Sequence, residues 1–107
     1  MSKAAQRIDG VFRAIADPTR RAILDRLRAG PANAGALAAD FRQSRPAISK
    51  HVRVLREARL VHAVQRGRER VYAVNPVPLQ GVMGWLEGYR AFWASGLDQL
   101  KRYLEET

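Results

Sequence analysis

Residues 44–58, which read SRPAISKHVRVLREA, decide the fold of this 107-residue chain. The hydroxyl of Ser44 can cap a helix, and Pro46 suits the first turn because its missing N–H would have no partner there. Three apolar residues then share one helix face at intervals of four and three, namely Ile48, Val52 and Leu55. The pattern predicts a helix whose other face presents Arg45, Ser49, Lys50 and Arg53.

A shorter helix is expected just upstream of this one. Asn33 can cap a helix that runs through Leu37 to about Phe41, and Arg42-Gln43 would form a tight turn before Ser44. Two short helices joined by a tight turn, the second of them basic, are typical of a helix-turn-helix, here at about 33–58. The second helix of such a motif fits the major groove of B-DNA, with its N-terminal residues at the base edges.

The hydrophobic period changes after residue 59. The runs 60–66 and 70–74 roughly alternate in polarity around Gly67, which predicts a β-hairpin with a charged tip, a wing at about 60–74. Its arginines can reach the DNA backbone or the minor groove beside the second helix: Arg66, Arg68 and Arg70. A helix-turn-helix followed by such a hairpin is a winged helix.

Helical patterns flank this unit on both sides. A first helix ends near Ala16, Asp17-Pro18 begins a second, and Gly30, in a left-handed turn, is expected to end that one before Pro31. A long last helix is predicted at about 78–104. The fold class is therefore mainly α with a small β-hairpin: five helices in a single domain, 1–107.

The positive charge is concentrated in the middle of the chain. Nineteen Lys and Arg against ten Asp and Glu give a net charge of +9. Residues 42–70 hold nine basic and two acidic side chains, so they carry +7 of that total. Such a patch is the electrostatic footprint of a polyanion binder, although a solvated basic face is the alternative.

Several classes of protein and site lack support. The chain has no cysteine, so disulfides, thiolate metal sites and cysteine nucleophiles are excluded. His51 and His62 are isolated, and no phosphate-binding loop or paired catalytic group is evident, so we expect no metal site, no cofactor and no enzymatic activity. The sequence has no membrane span and no apolar leader after Met1, and the expected location is the cytoplasm.

Three segments resemble the ArsR family of bacterial winged-helix repressors. They are FRAIADPTRRAIL at 12–24, residues 44–58, and an aromatic segment at 85–93 that is similar to the branch with a long aromatic last helix, which includes the sporulation-delay repressor type. The resemblance covers about residues 8–104. It implies a homodimeric transcriptional repressor that binds specific sequences of double-stranded DNA. In such a dimer the first and last helices form the interface.

The resemblance and the pattern together name two sets of residues. The expected DNA contacts are Gln43, Ser44, Arg45, Pro46, Ser49, Lys50, His51, Arg53, Arg66, Arg68 and Arg70. The expected dimer interface is Phe12, Leu86, Tyr89, Phe92, Trp93, Leu97, Leu100 and Leu104, since a monomer of this size cannot easily cover so many large apolar side chains. The alternatives are that these side chains fold back onto the chain's own core, or that the aromatic ones line a ligand cavity.

The sequence departs from the family pattern at three places. The family's cysteine-containing metal motif on the recognition helix cannot exist here. Arg59 stands where glycine is common before the first wing strand, so it would have to adopt a left-handed conformation or shift the helix end. Arg42-Gln43 occupies a turn in which glycine is common.

Two other functions stay open at this point. One is a winged-helix module that binds another protein through its last helix, and the other is a protein that coats DNA without sequence preference. The operator, the target genes and the identity of any small-molecule inducer do not follow from the sequence.

Overall fold

A computed structural model describes residues 2–106, which form five helices and three strands. In chain order these are α1 (Lys3–Ile15), α2 (Pro18–Arg28), β1 (Ala32–Asn33), α3 (Ala34–Ala39), α4 (Arg45–Glu57), β2 (Val61–Arg66), β3 (Glu69–Val74) and α5 (Leu79–Glu106). The predicted number of helices is confirmed within this part of the chain, as is the hairpin after α4.

The predicted helix caps of α2, α3 and α4 are confirmed. Oδ2 of Asp17 accepts a hydrogen bond from the Arg20 N–H at 3.0 Å, Asn33 accepts one from Ala36 at 2.8 Å, and the Ser44 hydroxyl accepts one from Ala47 at 3.3 Å. Each cap satisfies a backbone donor that the first helical turn leaves free. The helix starts were therefore readable from side-chain chemistry alone.

The expected end of α2 before Pro31 is confirmed, but Gly30 does not adopt the left-handed conformation. The helix α2 ends at Arg28, and its C-cap Ala29 is a right-handed residue whose N–H bonds back to the carbonyls of Arg26 and Leu27. Within residues 2–106, Gly67 is the glycine with a positive φ. Pro31 and the short strand β1 continue the chain without the left-handed turn.

The predicted wing hairpin is confirmed, and a third short strand extends it. The strands β2 and β3 pair antiparallel as expected, but β1 adds to the free edge of β3, giving the order β1-β3-β2. The register places Ala32 opposite Tyr72 and Asn33 opposite Val71. A two-residue strand has no readable period, so β1 could not be predicted from the sequence. It connects the start of α3 to the wing.

The chain leaves α4 through a left-handed residue at Arg59, whose φ is 64°. The Arg59 N–H donates to the Arg56 carbonyl and the Leu60 N–H to the Leu55 carbonyl, which is the hydrogen-bond pattern of a Schellman motif. Leu55 and Leu60 are both fully buried, and Nδ2 of Asn75 donates to the Arg59 carbonyl at 3.0 Å. The predicted left-handed conformation is confirmed, and the helix end does not shift.

The hydrophobic core is built around α4. Its three inward residues are essentially inaccessible to solvent, together with Ile23 and Leu37 of the preceding helices and Leu60 before β2. Only the first turns of α5 reach this core, through Leu79 and Val82. Beyond Val82 the last helix runs past the core.

The long α5 gives the molecule its elongated shape. A helix of 28 residues is roughly 42 Å long at a rise of 1.5 Å per residue. The principal dimensions are 64 × 35 × 21 Å. Among residues 2–106 there is no helix both long enough and apolar enough to cross a membrane.

We predict that Arg59→Gly stabilises the protein by about 1 kcal/mol, because glycine adopts a left-handed conformation without the steric cost that a side chain meets. Chemical denaturation of both proteins would measure the difference. Arg59→Ala removes the same charge but retains a Cβ, so it should give no comparable gain. An equal gain in both variants would show that the charge, and not the backbone conformation, is the source.

Candidate nucleic-acid interface

The two faces of α4 differ in burial as the sequence predicts. Ile48, Val52 and Leu55 are at most 1% exposed, which fixes the rotation of the helix against the core. The polar residues on its other side are exposed: Arg45, Ser49, Lys50 and Arg53. Burial of one face thus presents the other face to solvent as a continuous basic surface.

The turn before α4 is tied to the preceding helix. Nε2 of Gln43 donates to Oγ1 of Thr19 at 3.1 Å, so Gln43 lies beside the first turn of α2. Ser44 and Pro46 are exposed at the start of α4. The predicted residues of this turn therefore lie at the N-terminal end of the basic surface.

His51 lies differently from its neighbours on α4. Its side chain is 24% exposed, and its Nδ1 is 3.8 Å from Oδ2 of Asp17, the N-cap of α2. His51 therefore faces the α2–α4 junction at the edge of the exposed surface. His62 is exposed on β2, and no group of three His, Asp or Glu side chains able to hold a metal ion occurs within residues 2–106.

A tight turn closes the hairpin of the wing. Arg66 pairs with Glu69 in the register, so Gly67 and Arg68 form a two-residue loop. Gly67 has a φ of 60° at the first loop position, which is the position where a type II′ turn requires glycine. The predicted arginines Arg66, Arg68 and Arg70 are all exposed on this hairpin.

Arginines from α4 and from the wing meet in one groove of about 490 Å³. Arg45 from the first turn of α4 lines it together with Arg68 and Arg70 from the wing. We call this depression the wing groove; its other lining residues are Asn33, Ala34, Gly35, Glu69 and Tyr72. The structure thus brings three of the predicted residues together, whereas Lys50 and Arg53 lie further along α4 and Arg66 lies outside the groove lining.

The sequence did not predict a contact between two residues that line the wing groove, Asn33 and Glu69. Nδ2 of Asn33 donates to Oε1 of Glu69 at 3.0 Å, while Oδ1 of Asn33 caps α3. One side chain therefore links the first helix of the helix-turn-helix to the wing tip. The cap at Asn33 was readable from the sequence, but a contact between residues 36 positions apart was not.

Not every arginine near this surface is available to a ligand. Arg20 donates from Nε to the Ala14 carbonyl at 2.7 Å and from Nη2 to the Arg13 carbonyl, and Arg21 donates to the Ile15 carbonyl at 2.8 Å. These guanidinium groups satisfy the last carbonyls of α1, which favour a positive charge. The two arginines that follow the Asp17-Pro18 start of α2 thus join α1 to α2.

A second exposed surface runs along α5. Ten large apolar side chains on this helix are between 44% and 70% exposed: Met83, Trp85, Leu86, Tyr89, Phe92, Trp93, Leu97, Leu100, Tyr103 and Leu104. Phe12 of α1 extends the surface, with its ring 5.7 Å from that of Trp85. The alternative that these residues fold back onto the core of the same chain was wrong.

Comparisons with known proteins agree with this geometry. The sequence model of a family described as "Helix-turn-helix domain" matches residues 15–64. The HTH-type transcriptional regulator Rv2034 of Mycobacterium tuberculosis is 44% identical over 89 residues, which cover 83% of this chain and 80% of the relative. The transcriptional repressor SdpR of Bacillus subtilis is 39% identical over 79 residues, covering 74% and 88% of the two chains.

A solved structure identifies the family. The crystal structure of the ArsR family transcriptional regulator RHA00566 superposes with a TM-score of 0.75 at 36% identity, over 89% of this chain and 98% of that one. The chain belongs to the ArsR family. It is a winged-helix, DNA-binding transcriptional regulator, and the members of this family are not enzymes. The resemblance drawn from the sequence is confirmed.

In this ArsR-family protein, Asp17 lies between the start of α2 and His51 of α4. The hydrogen bond from the Arg20 N–H lowers the pKa of Asp17 below its ordinary value of 3.8, and the charges of Arg20 and His51 add to that effect. A lowered pKa in the folded state means that the ionised carboxylate stabilises the fold above the unfolded-state pKa. This contribution is lost as the pH falls through the lowered folded-state value.

We predict that Asp17→Ala lowers the Tm at neutral pH by several degrees, because it removes the cap of α2 and the partner of His51. The gap between the two proteins should narrow as the pH falls from about 4 through the lowered folded-state pKa, because the contribution of the ionised carboxylate is lost over this range. Thermal unfolding followed by circular dichroism across this pH range would measure it.

Two control variants make this test specific. Asp17→Asn keeps a capping oxygen but cannot titrate, so its stability should show less acid dependence than that of the wild type. Asp25→Ala removes an exposed carboxylate of α2 for which the structure shows no hydrogen bond within residues 2–106. A pH-dependent loss of the same size in Asp25→Ala would contradict the role assigned to Asp17.

Proposed function

We propose that this protein is a homodimeric, sequence-specific repressor that places α4 in the major groove and the wing on the DNA backbone or minor groove. The observation that carries the proposal is the wing groove, where Arg45 of α4 and Arg68 and Arg70 of the wing face one cavity. Guanidinium groups from two elements that converge on one depression suit a DNA strand running between them, with the wing arginines on its phosphates and Arg45 at a base edge. In this proposal residues 1–107 form one domain, which acts in the cytoplasm.

The exposed side of α4 supports different roles for its residues. Arg45, at the N-terminal end, is positioned to pair with a guanine edge, since the first turn of a recognition helix enters the groove most deeply. Ser49, Lys50 and Arg53 lie further along the same exposed side and would contact bases or phosphates. Gln43, Ser44 and Pro46 would lie where the helix meets the backbone, and His51 would approach DNA only from the edge of this surface.

The wing arginines would act mainly on the backbone. Arg68 occupies the tip of the hairpin, and Arg66 and Arg70 flank it at the ends of the paired strands. Such contacts set affinity and orientation without reading sequence. Glu69, held by Asn33, would keep these arginines at a fixed distance from α4.

The apolar surface of α5 supports the dimer. Leu86, Trp93, Leu97, Leu100 and Leu104 lie within a narrow arc at helical spacing, and all are exposed in the single chain. An exposed patch of this extent is larger than monomeric proteins usually carry. Pairing with a second copy of α5, with Phe12 of α1 at its edge, would cover the patch and set the distance between two recognition helices.

We predict that Arg45→Ala and Arg68→Ala weaken DNA binding in different ways. A binding site would first be selected from a pool of random duplexes, and affinity would then be measured by fluorescence anisotropy at several salt concentrations. Arg45→Ala should lose about 1–3 kcal/mol of discrimination at one base position, whereas Arg68→Ala should weaken all duplexes alike and reduce the salt slope by about 1.

The control for both variants is Arg102→Ala, which removes an exposed cation from the polar side of α5. It should change neither the discrimination nor the salt slope beyond a small effect of net charge. If Arg45→Ala and Arg68→Ala bound the selected duplex like the parent protein, the proposed docking would be wrong. If the wild type bound all duplexes with equal affinity, the proposal of sequence-specific repression would be wrong, and nonspecific coating of DNA would be the function instead.

We predict that Leu97→Glu converts the dimer into a monomer, because it buries a carboxylate in the middle of the apolar pairing surface. Sedimentation velocity would measure the change in mass. Affinity for a duplex with two half-sites should fall by more than affinity for a single half-site, since only the former needs both copies. Ser95→Glu adds the same charge on the opposite side of α5 and should leave the dimer intact; loss of the dimer in both variants would contradict the assigned face.

A further inference from the structure

A second groove, of about 750 Å³, lies on a different part of the molecule from the wing groove. It is formed by the N-terminal half of α1, the end of α4 and the segment that leads into α5, and we call it the α1–α4 groove. Ile8, Val11, Val77 and Pro78 contribute apolar surface to its lining. Its volume falls in the range of about 300–1,000 Å³ typical of small-molecule sites.

The charged residues that line the α1–α4 groove are mainly cationic. Lys3, Arg7 and Arg59 lie along it, and Glu57 is the one acidic residue among the lining residues that the structure describes. Within residues 2–106, no hydrogen bond or ion pair engages the head groups of these three cations. The groove therefore combines apolar surface with a net positive charge.

We propose that the α1–α4 groove binds a small amphipathic organic anion that acts as an effector of DNA binding. The hydrocarbon part of the ligand would cover the apolar surface, and its carboxylate would pair with Arg7 and Arg59. A cationic rim on a low-dielectric surface attracts anions, and burial of the tail adds affinity in proportion to its apolar area. A neutral molecule with the same tail would contact only the apolar surface, and a short anion without a tail would pair only with the cations.

The position of the groove connects such a ligand to the function proposed above, on which the effector role rests. Glu57, Ala58 and Arg59 form the end of α4 and the left-handed turn into the wing. The opposite wall belongs to α1, which packs against the start of α5. A ligand in the groove thus contacts the recognition helix and the elements that carry the proposed dimer, so its binding can alter the distance between two recognition helices.

Direct binding tests the site without DNA. The probe is decanoate, with decanol as the uncharged control and acetate as the control without a tail, titrated by calorimetry and by amide chemical shifts. Decanoate should bind best, and the largest shifts should fall on the amides of Gly10, Gly81 and Arg59, which line the groove. Equal binding of decanol, or shifts confined to α5, would overturn the proposal.

Variants with matched controls locate the ligand. In Gly10→Leu the side chain enters the groove, whereas Gly10→Ala adds only a methyl group; a Cβ at this position meets no atom within 4 Å. Gly10→Leu should abolish decanoate binding, and Gly10→Ala should retain it. Arg7→Ala should weaken binding by about threefold to fivefold, the size expected for one exposed ion pair, while Arg102→Ala should not.

The effector role has its own measurement. Saturating decanoate should change the affinity of the wild type for its selected duplex by at least about threefold, and it should have no effect on Gly10→Leu. Binding of decanoate without any change in DNA affinity would overturn the effector role. Binding seen only in the Leu97→Glu variant would overturn the site, because it would mean that a second copy of the chain fills the groove in the dimer.

Discussion

Burial of one face of α4 is the constraint on which the rest of the structure depends. Ile48, Val52 and Leu55 lie in the centre of the core, where each contributes about 1.5–3 kcal/mol through the apolar surface it removes from water. A helix fixed by three such contacts cannot rotate about its axis without exposing them. Because side chains repeat every 3.6 residues, this packing alone determines that Arg45, Ser49, Lys50 and Arg53 face solvent.

The position of the wing relative to α4 depends on short-range geometry on both sides of the helix. At its end, the left-handed Arg59 and the buried pair Leu55–Leu60 set the direction in which β2 leaves. Ahead of α4, Asn33 connects the cap of α3 to Glu69 at 3.0 Å. The recognition helix and the wing are thus joined by backbone hydrogen bonds and one amide–carboxylate contact, which hold Arg45 and Arg68 on one groove.

Two groups of arginines in this chain have different roles. Arg20, Arg21 and Arg26 bind backbone carbonyls or the Asp40 carboxylate and hold α1, α2 and α3 together. Those of the helix-turn-helix and the wing tip remain exposed, as do those of the α1–α4 groove. Net charge therefore indicates the class of partner, but it does not indicate which arginines contact that partner. An arginine close to the C-terminus of a helix is stabilised by hydrogen bonds to the free carbonyls there, so it is not available to a ligand.

The sequence by itself determined the local elements. Caps at Asp17, Asn33 and Ser44, the glycine of the wing turn and the stripe on α5 are each encoded by neighbouring residues, so they were readable without a structure. The left-handed Arg59 was one of two alternatives that followed from the family resemblance, because glycine is common at this position in the family. The exposed basic side of α4 and the family followed from the same local patterns.

Only the tertiary structure decided how these elements meet. The strand β1, the Asn33–Glu69 contact and the α1–α4 groove each join residues far apart in the chain, for which no periodicity exists to read. The exposure of the α5 stripe is another such case: a helical apolar stripe specifies that something must cover it, but not whether the cover comes from the same chain. The physical reason is that local propensities depend on neighbouring residues, whereas packing depends on the shape of the whole core.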